Sequence, residues 1–113
     1  MATISEKQLG QVRNAVGGTA ESIYSPAAST IGIIKSIVVC ENSGNADSFS
    51  IYLDDNGGVE SEETCLFKDV AIAANETIIL NVYWPMDDVD GNLAVEAATT
   101  DRVTFTVFGL EIT

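Results

Sequence analysis

A chain of 113 residues, 46% hydrophobic and 19% charged, holds enough apolar side chains for one core and too few for two. Seventeen acidic residues against five basic ones give a formal charge of −12, which repels phosphate backbones and anionic lipid. Nucleic acid and membranes are therefore not expected partners. The sequence has no histidine, so the familiar catalytic triads, the commonest general base and any Cys/His metal site are missing.

The first residues, "MATISEKQLGQVRNAVGG", lack the apolar run of a secretory signal, and no export is expected. The longest apolar stretch, Ile31 to Cys40, is interrupted by Lys35 and Ser36 and falls well short of the roughly 20 residues of a membrane-spanning helix. Residues 1–20 are polar and broken by Gly10, Gly17 and Gly18, with Leu9, Val12 and Val16 at helix-like spacing. They are expected to form an N-terminal arm outside the core, either frayed or ordered against a neighbouring subunit.

From Glu21 onward the hydrophobic period is two, the mark of strands with one buried face. "SIYS" predicts a short strand stopped by Pro26. "IGIIKSIVVCE" predicts a long one: Ile31, Ile33, Lys35, Ile37 and Val39 fall on one face, Ile34, Val38 and Cys40 on the other, so it is covered on both sides near its end or bends. "NSGNAD" supplies turn chemistry, and "SFSIYLD" follows with Phe49, Ile51 and Leu53 inward and Ser48, Ser50, Tyr52 and Asp54 outward. These two strands are expected to pair as a hairpin.

After the acidic stretch "DDNGGVESEE", strands are predicted at "TCLFKDVAI", at "ETIILNVYW" with Pro85 ending it, at "LAVEA" and at "RVTFTVFGLEI". In "ETIILNVYW", Ile78, Leu80 and Val82 share a face; in the last strand Val103, Phe105 and Val107 do so up to Gly109, and since unbroken pairing would flip Leu110 and Ile112 to the opposite face, Gly109 is a candidate bulge or bend. No segment past residue 20 has helical length and period, which excludes parallel βαβ crossovers. The expected fold is all-β: an antiparallel β-sandwich of seven or eight strands over residues 21–113, jelly-roll or immunoglobulin-like, preceded by the arm.

Cys40 and Cys65 each sit in an apolar run and read as small hydrophobic fillers, since a disulfide would need adjacent strands. The acids fall mostly in turn-like stretches where nothing would raise a pKa, so an enzyme is not expected. "YLDDNGGVESEE" approaches a calcium loop with Gly57 at its sixth position, but its first position is Tyr52 and no helix precedes it. "DDVDGN" (Asp87 to Asn92) is the better oxygen cluster, yet Asp-Gly is also routine turn chemistry; no metal or other cofactor is expected. "NET" at Asn75 matches a glycosylation sequon that carries no information without export. Tyr83, Trp84 and Met86 either close one end of the core or form a contact patch.

Several elements in order carry a family resemblance: Tyr24 and Pro26; Ile33 to Val38 with Cys40 and Asn42; Phe49 to Leu53; Leu66 to Ile78; Gly91 to Ala97; and Val103 to Ile112, with a further touch at Lys7 to Ala15. The chain resembles a family of small tailed-bacteriophage virion proteins built as a Tyr-x-Pro element, an Ile-Lys-Ser-Ile strand, an Asn-rich turn and a second strand. It departs from that pattern where members carry Pro-Ala-Gly and this chain has Pro26-Ala27-Ala28-Ser29.

The resemblance implies a non-enzymatic virion component, a β-sandwich serving as a capsid decoration (cement) protein or as a module of a tail or fibre. The expectation taken forward is a decoration protein that binds the lattice of the major capsid protein in the virion, as a homo-oligomer with a trimer favoured. Expected partner contacts are Leu9, Val12 and Val16 in the arm, with Trp84 and Met86. The alternative is a receptor- or glycan-binding module in which Trp84 and the acidic loops form the recognition end.

Overall fold

The computed structural model describes residues 2–54, 61, 63–89 and 91–113. Among these residues there are eight strands and no helix: β1 (Ile4–Arg13), β2 (Glu21–Tyr24), β3 (Ile31–Glu41), β4 (Asp47–Asp54), β5 (Cys65–Ile72), β6 (Thr77–Met86), β7 (Asn92–Ala97) and β8 (Val103–Ile112). They form two four-stranded sheets in the orders β1-β8-β3-β6 and β2-β7-β4-β5, with every pairing antiparallel. Chain-sequential strands mostly alternate between the sheets, which is the double Greek key of a jelly roll and decides between the two expected topologies.

The alternation of apolar side chains dictates which faces meet. Ile34, Ile37 and Val39 of β3, Phe49 and Ile51 of β4, Leu93, Val95 and Ala97 of β7, and Val103, Phe105 and Val107 of β8 are all buried between the sheets. Phe49 and Phe105 meet edge to face at 6.0 Å between ring centroids, one from each sheet, at the middle of the core. Such a pair adds about 0.5–1.5 kcal/mol to what burial of the two rings contributes.

Three expectations need correction. Residues 4–13 are not an arm outside the sandwich: they form β1, paired with β8 from Ile4↔Ile112 to Arg13↔Thr104. Helix-like spacing arose because Leu9 is an extra residue between the Gln8↔Phe108 and Gly10↔Val107 pairs, so two inward side chains, Leu9 and Val12, fall three apart.

β3 and β4 are not a hairpin either. β3 pairs with β6 and β8, β4 with β5 and β7, and residues 42–46 carry the chain from one sheet to the other. The true hairpin neighbour of β4 is β5. Finally, β6 runs through Pro85, which pairs with Ile33, and stops at Met86. An edge strand accepts proline because one side of its backbone has no ladder to feed.

The outward residues Ser50, Tyr52 and Asp54 do lie on the face away from the core, yet all three are buried. The Tyr52 hydroxyl donates to Glu96 at 2.6 Å, and Glu96 is the cross-strand partner of Ser50. The ring must therefore lie along the sheet surface, and the Ser50 hydroxyl beneath accepts the Asp69 N–H at 2.9 Å.

Candidate functional site

The expected contact residues are placed mainly in the fold. Leu9, Val12 and Trp84 pack against the core, Trp84 beside Phe67 at 6.0 Å between ring centroids, and Met86 belongs to the core itself. Val16 alone of the five is exposed. Tyr83, by contrast, points outward and is 66% exposed.

The face with the makings of a contact surface is the outer side of the β1-β8-β3-β6 sheet. Since Val103, Phe105 and Val107 point inward, Thr104, Thr106, Phe108, Leu110 and Ile112 point out. The register then lines up rows across the sheet: Ile4, Ile112 and Ile31; Glu6, Leu110, Ile33 and Pro85; Gln8, Phe108, Ser36 and Asn81; Gln11, Thr106, Val38 and Ile79. Ile4 (67%), Ile79 (62%) and Phe108 (38%) are among its exposed large apolar side chains. Among the described residues of these strands, Glu6 is the one carboxylate on the face, against Lys35 and Arg13. On a chain of charge −12, the described strands of this sheet thus turn a single acid outward among a mixture of apolar and neutral polar side chains.

Local geometry breaks this face at one place. Leu9 in β1 and Lys35 in β3 are both extra residues, inserted opposite the Val107–Phe108 and Phe108–Gly109 steps of β8, with Gly109 beside them. Gly109 is obligatory there, because a Cβ would overlap the carbonyl oxygen of Ile33 and press on Leu9. The paired bulges open a groove of about 480 Å³ lined by Glu6, Lys7, Gln8, Lys35, Ser36, Phe108 and Gly109. Lys35 lies 3.3 Å from Glu6 across it, an ion pair exposed on both sides and therefore easily exchanged.

The bulge at Lys35 also explains the two-faced reading of β3. Ile31 and Ile33 point out and Ile34 in; past Lys35, Ser36, Val38 and Cys40 point out while Ile37 and Val39 point in. Lys35 is a half-exposed charge at the wall of the groove. A sequence signal for it did exist: a lysine at the position where apolar residues change faces.

The groups whose titration is displaced serve the fold. Burial pushes the Tyr24 phenol well above its usual range, reinforced by its hydrogen bond to Glu111, whose carboxyl is held down by Lys7 and then by Tyr24. Burial raises Tyr52 to about 12, with Glu96 adding to it. Burial also opposes ionisation of Glu41, but donors from Ser43, Asn75 and Gly44 outweigh it and lower its pKa to about 2. None of these side chains lines the groove.

Cys40 and Cys65 are free thiols in strands of opposite sheets, so no bridge joins them. Burial pushes the Cys65 thiol up, and its S–H faces the Phe67 carbonyl at 3.2 Å. Among the described residues no three Cys, Asp or Glu groups converge as a metal site. The "YLDDNGGVESEE" and "DDVDGN" readings fall partly on residues 55–60, 62 and 90, outside the described residues.

No family model and no curated protein matches the sequence. Among solved structures the chain is similar to "Structure of infectious bursal disease virus Gx strain", at 10% identity and a TM-score of 0.46 over 99% of its length. It is also similar to the corresponding structure of the Gt strain, at 11% identity and a TM-score of 0.44 over 98%. The chain spans 31% of the length of each of those chains.

Proposed function

We propose that the protein is a structural component of a virion, a decoration protein that binds the assembled lattice of a bacteriophage capsid and adds interface without chemistry. The observation that carries this reading is the outer face of the β1-β8-β3-β6 sheet, which exposes Ile4, Ile31, Ile79, Tyr83 and Phe108 and turns one described carboxylate outward on a strongly acidic chain. An exposed apolar surface of this breadth is a surface to be covered. The jelly roll adds support as a fold common in capsid and lectin domains, and the resemblance to small phage virion proteins narrows the choice to the first. The tethering of Tyr24, Glu41, Tyr52 and Glu111 into strand and loop contacts favours a scaffold over an enzyme.

Quantitative mass spectrometry of purified virions of the encoding phage tests the proposal. Copies in fixed lattice stoichiometry with the major capsid protein support decoration. A few copies per particle would move the protein to a tail or fibre.

A further inference from the structure

We infer that the free edge of β6 is a self-pairing seam: a second copy of the chain adds its own β6 antiparallel to this one, about a two-fold axis through Ile79, so that two sheets become one. Backbone geometry locates the seam. The Glu41 N–H donates to the Glu76 carbonyl at 2.9 Å, which makes Glu41↔Glu76 a hydrogen-bonded pair and, at every second step of the same register, Val39↔Ile78 and Ile37↔Leu80 as well. The alternate residues Thr77, Ile79 and Asn81 therefore turn their N–H and C=O groups away from β3, to the side of β6 where no strand of the sheet follows.

The four sheet edges are not alike. β1 carries Glu6, Lys7 and Arg13 and a bulge at Leu9; β2 has only four residues and a register break; β5 carries Lys68 and Asp69, with Asp69 left-handed at φ 47° and the pairing to β4 broken twice. Charge, shortness and bulges of this kind are how sheets keep other chains from adding on. β6 has no charged residue from Thr77 to Met86 and pairs without a break from Thr77 to Asn81; its one blocking residue, Pro85, stands beyond that run. An uncharged edge is the place where two chains of charge −12 can meet with least repulsion.

The run is also self-complementary, which selects a second copy as its occupant. With Ile79 opposite its own symmetry mate, Thr77 faces Asn81 and Ile78 faces Leu80 of the second copy, polar beside polar and apolar beside apolar, each contact occurring twice. This register matches outward backbone groups to outward backbone groups and exchanges about six hydrogen bonds. It also covers Ile79, 62% exposed, and the half-buried Ile78 and Leu80. Directly opposite residues share a face, so the outer faces of both copies look the same way. The seam widens the surface proposed for the lattice and leaves it open.

Sedimentation equilibrium of the purified chain, carried to millimolar concentration, tests the seam together with amide hydrogen exchange. The wild type is expected to reach a dimer in which the Thr77, Ile79 and Asn81 amides exchange more than about tenfold more slowly than in the dilute monomer. Ile79→Lys and Ile79→Glu should each stay monomeric, because like charges meet at the axis, and an equimolar mixture of the two should form a mixed dimer. Should either fail to fold, Asn81→Pro removes only a donor that points off the sheet and should likewise abolish the dimer. A wild-type monomer at every concentration, a trimer, or a dimer whose three amides exchange as fast as in the monomer would overturn the inference. A seam dimer of a protein absent from virions would sink the lattice reading alone; a wild-type monomer present in lattice stoichiometry would sink the seam alone.

Discussion

The hydroxyl of Tyr24, on β2, donates to Oε2 of Glu111, on β8, at 2.7 Å, while Lys7 of β1 holds Oε1 at 2.9 Å. A single carboxylate thus ties the edge of one sheet to two strands of the other. Gly32 makes the crossing feasible, since a Cβ there would come within 2.5 Å of the Tyr24 hydroxyl. Tyr24→Phe keeps the ring in the core and removes this one bond to a charged acceptor. It should lower unfolding free energy by about 1.5–2 kcal/mol in urea titrations.

The same contact sets alkaline behaviour. A phenol whose folded pKa lies above its unfolded value of 10 stabilises the fold at lower pH, and that share is lost as pH rises from 10 towards the folded value. Tyr24 and Tyr52 both act in this direction. Denaturation midpoints should fall progressively above pH 10 in the wild type and less steeply in Tyr24→Phe; an equal slope in the two proteins would remove Tyr24 from the account.

Glu41 governs the acid side. Its carboxylate has no exposed surface and accepts the backbone N–H of Ser43, Gly44 and Asn75, each at 3.1 Å, together with the Ser43 hydroxyl. It clamps the connection leaving β3 to the turn before β6. A folded pKa of about 2 against 4.5 unfolded means the stabilisation is complete above 4.5 and is lost as pH falls towards 2. Glu41→Gln should destabilise strongly at neutral pH, and the gap between mutant and wild type should close as pH approaches 2. A gap independent of pH would show that the charge is not what the donors hold.

Two glycines separate steric from conformational cost. Gly109→Ala drives a Cβ into the Ile33 backbone between the two bulges and should cost about 3 kcal/mol or more, as overpacking against backbone does. Gly44 has φ +85° and open space around it, so Gly44→Ala carries only the left-handed penalty of about 1–2 kcal/mol. Thermal melts of the two variants should rank in that order.

Where period two held, sequence and structure agree: Ile78, Leu80 and Val82 pack against the core, and Leu93, Val95, Ala97, Val103, Phe105 and Val107 are in it. Strand existence is legible in the sequence from β2 to β8. The errors came where one extra residue breaks the period. At Leu9 a bulge imitated helical spacing and hid β1; at Lys35 another made β3 look covered on both faces. Gly109 reads from the sequence as a bulge or bend, but the extra residues sit in both neighbours and β8 itself runs straight, with Leu110 and Ile112 outward.

The hairpin expected of β3 and β4 failed for a different reason. A turn around Gly44 has the same composition whether it joins two strands of one sheet or passes between sheets, and what decides is long-range pairing, of β3 with β6 and β8 and of β4 with β7. The contact face was illegible on the same ground. Its rows combine residues from β1, β3, β6 and β8 that only the register brings side by side.

Hydroxyl-radical footprinting tests most directly whether this face is the covered one. The protein in purified virions is compared with the same protein released from them. Phe108, on the outer face of the β1-β8-β3-β6 sheet, should lose most of its reactivity in the particle, while Leu66, exposed on β5 of the opposite sheet, should react comparably in both. Unchanged reactivity at Phe108 with protection at Leu66 would contradict the account.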